Sequence, residues 1–213
     1  MARLHDTWMS PTKLELLAGW LPRQPWYRST GRSPQLRRAG GFRLDDPDGE
    51  VGIEVLFVTD GASTTYQVPL GYRGAPPAGA EAALVGTAEH GVLGPRWIYD
   101  GVRDPVVAAQ LLALVRGEVV AQHQSVSDTP DPSVTSIAVE PAGGEASPEA
   151  LTLHVLRVLA ADDAVAGDDG EGQREIVGTI EAEVRPPDSA PVRRHIAVLE
   201  RATSGDPGVR DDQ

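Results

Sequence analysis

Ser10-Pro11-Thr12-Lys13-Leu14-Glu15-Leu16-Leu17-Ala18-Gly19-Trp20-Leu21-Pro22-Arg23-Gln24-Pro25-Trp26-Tyr27 is the stretch that sets the architecture. Its first part reads as a short helix: Ser10 can cap it, Pro11 suits the first turn and Pro22 ends it. Leu14, Leu17 and Leu21 recur on one face with Trp20 beside them, so the helix is amphipathic and needs a sheet or helix to lie against. Arg23-Gln24-Pro25-Trp26-Tyr27-Arg28 then forms a turn rich in aromatic and basic side chains.

Strand patterns follow. Val51–Val58 and Thr64–Leu70 flank Asp60-Gly61, which is a hairpin signal. Gly41-Phe42-Arg43-Leu44 supplies an earlier strand and Arg96-Trp97-Ile98-Tyr99 a later one, while Ala80 to Ala88 reads as helical. Asp104-Pro105 opens the clearest helix, Val106 to Arg116, which Gly117 stops. Apolar residues surround that helix almost completely, so it belongs inside. Val119 to Pro132 is polar, a linker or an ordered loop. Four strand-like segments come next: Val134–Val139, Leu151–Leu159, Ile176–Val184 and Val192–Leu199. Asp162 to Gly172 reads as a loose acidic loop, and residues 204–213 as a disordered tail. The whole is an α+β chain.

Composition divides the chain in the same place. Of 213 residues, the first 100 carry 10 basic and 11 acidic side chains, and the remainder 9 and 20, giving the net charge of -12. Every Trp, Tyr and Phe lies at or before Tyr99. Such an acidic balance argues against nucleic acid as a partner, because a phosphate-tracking surface needs clustered Lys and Arg. With no cysteine there are no disulfides, thiolate metal sites or cysteine nucleophile. The apolar runs fall far short of the roughly 20 residues a membrane helix needs. Met1-Ala2-Arg3-Leu4-His5-Asp6 lacks the apolar core of a signal peptide, which leads to the expectation of a cytoplasmic protein.

Few residues offer chemistry. His5, His90, His123, His154 and His195 are scattered without zinc-site spacing, and His154 in a strand pattern reads as a packed or surface residue. His90 reads as a cap for the helix expected before it. No Gly-x-Ser-x-Gly elbow occurs, and Gly71 to Gly79 contains Pro76-Pro77 without a following Lys, so it is no phosphate loop. Asp168-Asp169-Gly170-Glu171 lacks calcium-loop spacing. No catalytic residue, cofactor or metal is therefore expected. Trp20 and Trp97 are assigned to the core; Trp26 and Tyr27, beside Arg23 and Arg28, suit either core or an exposed docking patch, since Trp, Tyr and Arg dominate interface hot spots.

Trp20-Leu21-Pro22-Arg23-Gln24-Pro25-Trp26-Tyr27 behind Leu14-Glu15-Leu16-Leu17 resembles the opening of the maltokinases. Thr65-Tyr66-Gln67-Val68-Pro69-Leu70-Gly71-Tyr72, Ile98-Tyr99-Asp100-Gly101 and the 104–116 helix match that family in order and spacing, with Pro25 standing where the kinases tend to have Arg. The resemblance covers residues 10–118 and implies a cystatin-like cap, an antiparallel sheet packed on helices, followed in 119–203 by a second small antiparallel sheet similar to a degenerate kinase intermediate subdomain. In the kinases the cap supplies neither phosphate-binding residues nor the catalytic base. The His-Gly-Asp-x-His-x-x-Asn motif of the kinase C-lobe is absent, and no lysine follows Lys13 to hold nucleotide phosphates. The resemblance is thus to standalone actinobacterial cap-like proteins without the kinase C-lobe. It implies a non-catalytic accessory or interaction protein, tied to maltose, trehalose or α-glucan metabolism, with Arg23, Trp26, Tyr27 and Arg28 as its interaction surface. Two alternatives stay open: a degenerate sugar-kinase relative binding a sugar or nucleotide, and a homodimeric structural module.

Overall fold

The computed structural model describes residues 8–61, 64–126, 128–138, 151–159 and 174–202. The acidic 162–172 loop and the 204–213 tail of the sequence reading lie outside them.

Helix α1 spans Lys13–Trp20. Its cap is Thr12 rather than Ser10. The Thr12 hydroxyl accepts the Glu15 amide at 3.3 Å, and the Glu15 carboxylate accepts the Thr12 amide at 2.7 Å. This reciprocal box satisfies two backbone donors that would otherwise lack partners. Leu17 and Trp20 are buried, as is Leu21, which opens the 3-10 turn Leu21–Arg23.

Every named strand pairing is antiparallel. Strands β1 (Met9–Ser10), β2 (Leu36–Leu44), β3 (Val51–Asp60), β4 (Thr64–Arg73), β5 (Leu84–His90) and β6 (Gly94–Asp100) form the first sheet, in the order β1-β5-β6-β4-β3-β2. β3 is buried along its length apart from half-buried Gly52. Side chains alternate across a strand. Accordingly Val51, Ile53, Val55 and Phe57 enter one core cluster, while Leu56 and Val58 enter another with Leu17, Trp20 and Leu21. α1 thus covers one face of the sheet.

The other face is covered by helix α2 (Pro105–Val115) and a second sheet. Only Pro105 and Ala109 of this helix are exposed, in keeping with its apolar sequence. Strands β7 (Val134–Ala138), β8 (Leu151–Val155), β10 (Arg174–Val184) and β11 (Val192–Ala202) order as β7-β10-β11-β8. Phe42, Phe57, Leu111, Val115, Ile180 and Ile196 all belong to one buried cluster. The hydrophobic interior is therefore continuous across the point at which composition changes. The architecture is α+β, mostly antiparallel sheet with two helices among the described residues.

Two segments depart from the sequence reading. Residues 80–88, expected to be helical, form a single 3-10 turn (Glu81–Ala83) and then β5. The alanines favour helix locally, but β5 gains ladders on both sides, from β1 and β6, and tertiary pairing outweighs weak propensity. Gly86 shows what the strand makes room for: a Cβ there would lie 2.7 Å from Leu16 Cδ2, so α1 sits directly on β5. Leu151–Leu159 is not one strand. After β8 the chain leaves the second sheet, and β9 (Val158–Leu159) pairs with β4 in the first, Leu159 opposite Thr65 and Val158 opposite Tyr66. The polar 119–132 stretch is an ordered loop where it is described. Arg43 and Gln122 exchange both backbone hydrogen bonds, at 2.9 and 2.8 Å, and the Asp131 amide donates to the Ala121 carbonyl at 2.8 Å.

Candidate interaction site

The 21–28 turn is held from below by backbone and aromatic contacts. The Gln24 amide donates to the Leu21 carbonyl at 2.9 Å and the Tyr27 amide to the Gln24 carbonyl at 3.1 Å, closing two consecutive turns. Trp26 meets Trp20 edge-on with ring centroids 5.7 Å apart and Tyr66 at 6.0 Å; Tyr27 lies 5.5 Å from Tyr66. These are favourable edge and tilted geometries. Trp26 and Tyr27 are consequently half-buried, whereas Arg23 and Arg28 are exposed and make no ion pair among the described residues. Trp20 is in the core as expected. Trp97 is not: it is half-buried and belongs to neither buried cluster, standing on β6 opposite Arg73 of β4 and Thr87 of β5.

The Tyr27 hydroxyl donates to Asp60 Oδ2 at 2.5 Å, and the Gln35 amide donates to Asp60 Oδ1 at 2.9 Å. Burial, then this hydrogen bond and the charge of Asp60, push the Tyr27 phenol well above its ordinary range. Tyr27→Phe is expected to cost about 1.5 kcal/mol, the value of a hydrogen bond to a charged group, read as a fall in the urea midpoint with unchanged slope.

Trp26 has a partner that the local sequence does not reveal. The Arg157 guanidinium lies over its ring, 5.1 Å from the centroid. The same guanidinium donates through Nη2 to both oxygens of Asp100, at 2.5 and 2.6 Å. Asp100 is buried at the end of β6, and the Arg157 carbonyl accepts the Gln67 amide of β4 at 3.0 Å. Trp26, Arg157 and Asp100 thus form a stack that fastens the β8–β9 link to the first sheet. Face-on cation contact of this kind strengthens when water is excluded.

Two other buried carboxylates are similarly occupied. Asp104 receives the Arg73 fork, Nε to Oδ2 at 2.7 Å and Nη2 to Oδ1 at 2.8 Å, and also caps α2 by accepting the Val106 and Val107 amides. Burial alone would raise its carboxyl, but the guanidinium and the two amides hold it below the usual range. A cleft of about 530 Å³ beside this pair is lined by Arg73, Pro77, Ala82, Tyr99 and Arg103. Glu54, on β3, takes Lys13, Arg38 Nη2 at 3.4 Å, the Tyr72 hydroxyl at 3.0 Å and Gln124 Nε2 at 3.2 Å. The chain's one lysine therefore ties α1 to the sheet. The Tyr72 phenol is raised first by burial and second by Glu54.

The described histidines lie apart. His154 sits half-exposed on β8, 3.2 Å from the Glu200 carboxylate, and His195 lies 3.4 Å from Glu181. His90 caps no helix, since none precedes it; its Nδ1 accepts the Val92 and Leu93 amides in the β5–β6 turn. Among the described residues no three His, Asp or Glu side chains converge as metal ligands, and no helix is long and apolar enough to cross a membrane.

Fold and site together define an antiparallel-sheet module whose buried acids are consumed by cations and amides, with an aromatic turn at its surface. Residues 20–104 match the family model of the maltokinase N-terminal cap domain. Over that segment, which opens at Trp20 and closes at the α2 cap Asp104, the resemblance carried by the Trp-Leu-Pro turn is borne out.

Proposed function

We propose that the chain is a non-catalytic, cap-like interaction protein that docks a protein partner through the ridge of Arg23, Trp26, Tyr27 and Arg28. In this reading residues 10–118 act as a cystatin-like cap, and the β-rich 119–203 stretch, similar to a kinase intermediate subdomain, supports it from behind. The observation that carries the reading is the occupation of the six buried carboxylates among the described residues, Asp46, Glu54, Asp60, Asp100, Asp104 and Asp131, by amides, hydroxyls or cations that hold the fold. A general acid or base needs a lone pair or proton left over for substrate. Arg23 and Arg28, by contrast, stand out from the surface on a rigid aromatic base, the arrangement that interface hot spots favour.

The partner chemistry this ridge fits is a carboxylate-bearing protein surface. The family match and the resemblance favour an enzyme of maltose, trehalose or α-glucan metabolism, such as a trehalose synthase or a glucan-branching enzyme. The test is surface-plasmon binding of those two enzymes to wild-type protein and to Arg23→Glu/Arg28→Glu, with ATP and maltose titrated separately by calorimetry. The expected result is binding of one enzyme, weakened roughly tenfold or more by the charge reversal, and no heat from either small molecule. Binding that survives the reversal, or heat from both ATP and maltose, overturns the reading.

A further inference from the structure

We propose that β8 is the seam through which two copies of this chain associate, strand against strand and antiparallel, about a dyad at Leu153. β8 ends the second sheet and pairs with β11 alone among the described strands. An open strand edge is a template for another chain, and proteins usually blunt such edges with charge, bulges or brevity. The outer strands of the first sheet carry those devices. β2 has a bulge between Arg38 and Gly40 and bears Arg37, Arg38 and Arg43, and β1 is only two residues long. β8, Leu151-Thr152-Leu153-His154-Val155, has no bulge, proline, Lys or Arg.

Its sequence also matches itself. In the antiparallel register centred on Leu153, Leu151 lies opposite Val155 of the second copy, Thr152 opposite His154, and Leu153 opposite itself. Every apolar residue meets an apolar one, and the polar positions meet each other. β7, the other edge of the second sheet, fails this test: centred on Ser136 it would set Thr135 against Ile137. Leu151, Leu153 and Val155 are half-buried and line an apolar groove of about 380 Å³, whose far side is formed by Ala109 and Leu112 of α2 and by Arg116, which follows it. A second β8 would continue the ladder and carry its own leucines under the two helices.

The net charge of -12 opposes the approach of two copies. β8 itself holds no acid, so the repulsion is long-range and screened beyond a Debye length, about 8 Å at physiological ionic strength. Added salt should therefore strengthen the association, opposite to an interface held by ion pairs. The seam uses none of Arg23, Trp26, Tyr27 or Arg28, so it stands or falls apart from the partner ridge.

The experiment is light scattering of the full chain over a dilution series at low and high sodium chloride. The expected mass moves from one chain to two as concentration rises, with the crossover at lower concentration in salt. Thr152 is exposed and His154 partly so, which allows edge variants that leave the interior intact. Thr152→Lys/His154→Lys, which keeps a cation beside Glu200, should hold the chain monomeric. The chain lacks cysteine, so an oxidised mixture of Thr152→Cys and His154→Cys reads the register directly. It should cross-link more than either variant alone. A single-chain mass at every concentration, as when a peptide of another protein is the true occupant, overturns the proposal. So does a dimer that ignores the lysines and yields no mixed cross-link.

Discussion

Arg157→Ala should lower the unfolding free energy by about 3–5 kcal/mol, the cost of leaving a buried charge without its partner. Both groups are largely out of water, with side-chain exposures of 12 % for Arg157 and 7 % for Asp100. Removing the arginine strands a carboxylate at the end of β6 and strips the outer face of Trp26. The β8–β9 link then keeps its backbone hydrogen bonds to β4 and the packing of Leu156, Val158 and Leu159. A urea titration followed by tryptophan fluorescence measures the loss. The double variant Asp100→Ala/Arg157→Ala should lose clearly less than the sum of the single losses, because each single change removes the same interaction. A loss under about 1 kcal/mol for Arg157→Ala would place the pair with ordinary surface bridges, and the stack would hold nothing together.

Asp104→Asn should destabilise by about 3–5 kcal/mol near neutral pH, with an effect that shrinks in acid. The amide side chain can still accept from the amides of α2, so the change mainly removes the charge facing the Arg73 fork. In the folded protein burial opposes ionisation of Asp104, and Arg73 with the Val106 and Val107 amides overcomes it, leaving the carboxyl depressed. A depressed acid contributes all its stability above its unfolded value, about 3.9 for Asp. That contribution is lost as pH falls through the lower folded value. The stability gap between wild type and Asp104→Asn should accordingly be widest above about pH 4 and narrow below it. A gap that stays constant into strong acid would mean that the charge of Asp104 does not stabilise the fold.

What the sequence made legible was what neighbouring residues write together. α2 was readable because Asp104, Pro105 and Gly117 are start and stop signals within one segment, and the β3–β4 hairpin because alternation flanks Asp60-Gly61. β5 was not, since Ala80, Ala82, Ala83 and Ala88 favour helix locally and the strand exists through ladders to β1 and β6. The apolar run at 151–159 gave no hint that the chain changes sheets within it. Its one cation, Arg157, was the available sign, because a charge in such a run needs a buried partner. The aromatic turn could be recognised from its own eight residues. Its engagement could not, because Arg157 and Asp100 reach Trp26 from remote parts of the chain. Glu54, a lone acid inside Val51–Val58, was a similar clue to the Lys13 network.

The excursion of β9 onto the margin of β4 has a practical side. The match to the maltokinase cap family model ends at residue 104, but the buried core does not. An expression fragment trimmed to the related portion would lack α2, the opposing sheet and the arginine that neutralises Asp100. Phe42, Val55 and Phe57 would then face solvent, and β4 would offer Thr65–Gln67 as a sticky border. The matched segment and the buried core have different boundaries in this protein, and the longer one is suited to cloning.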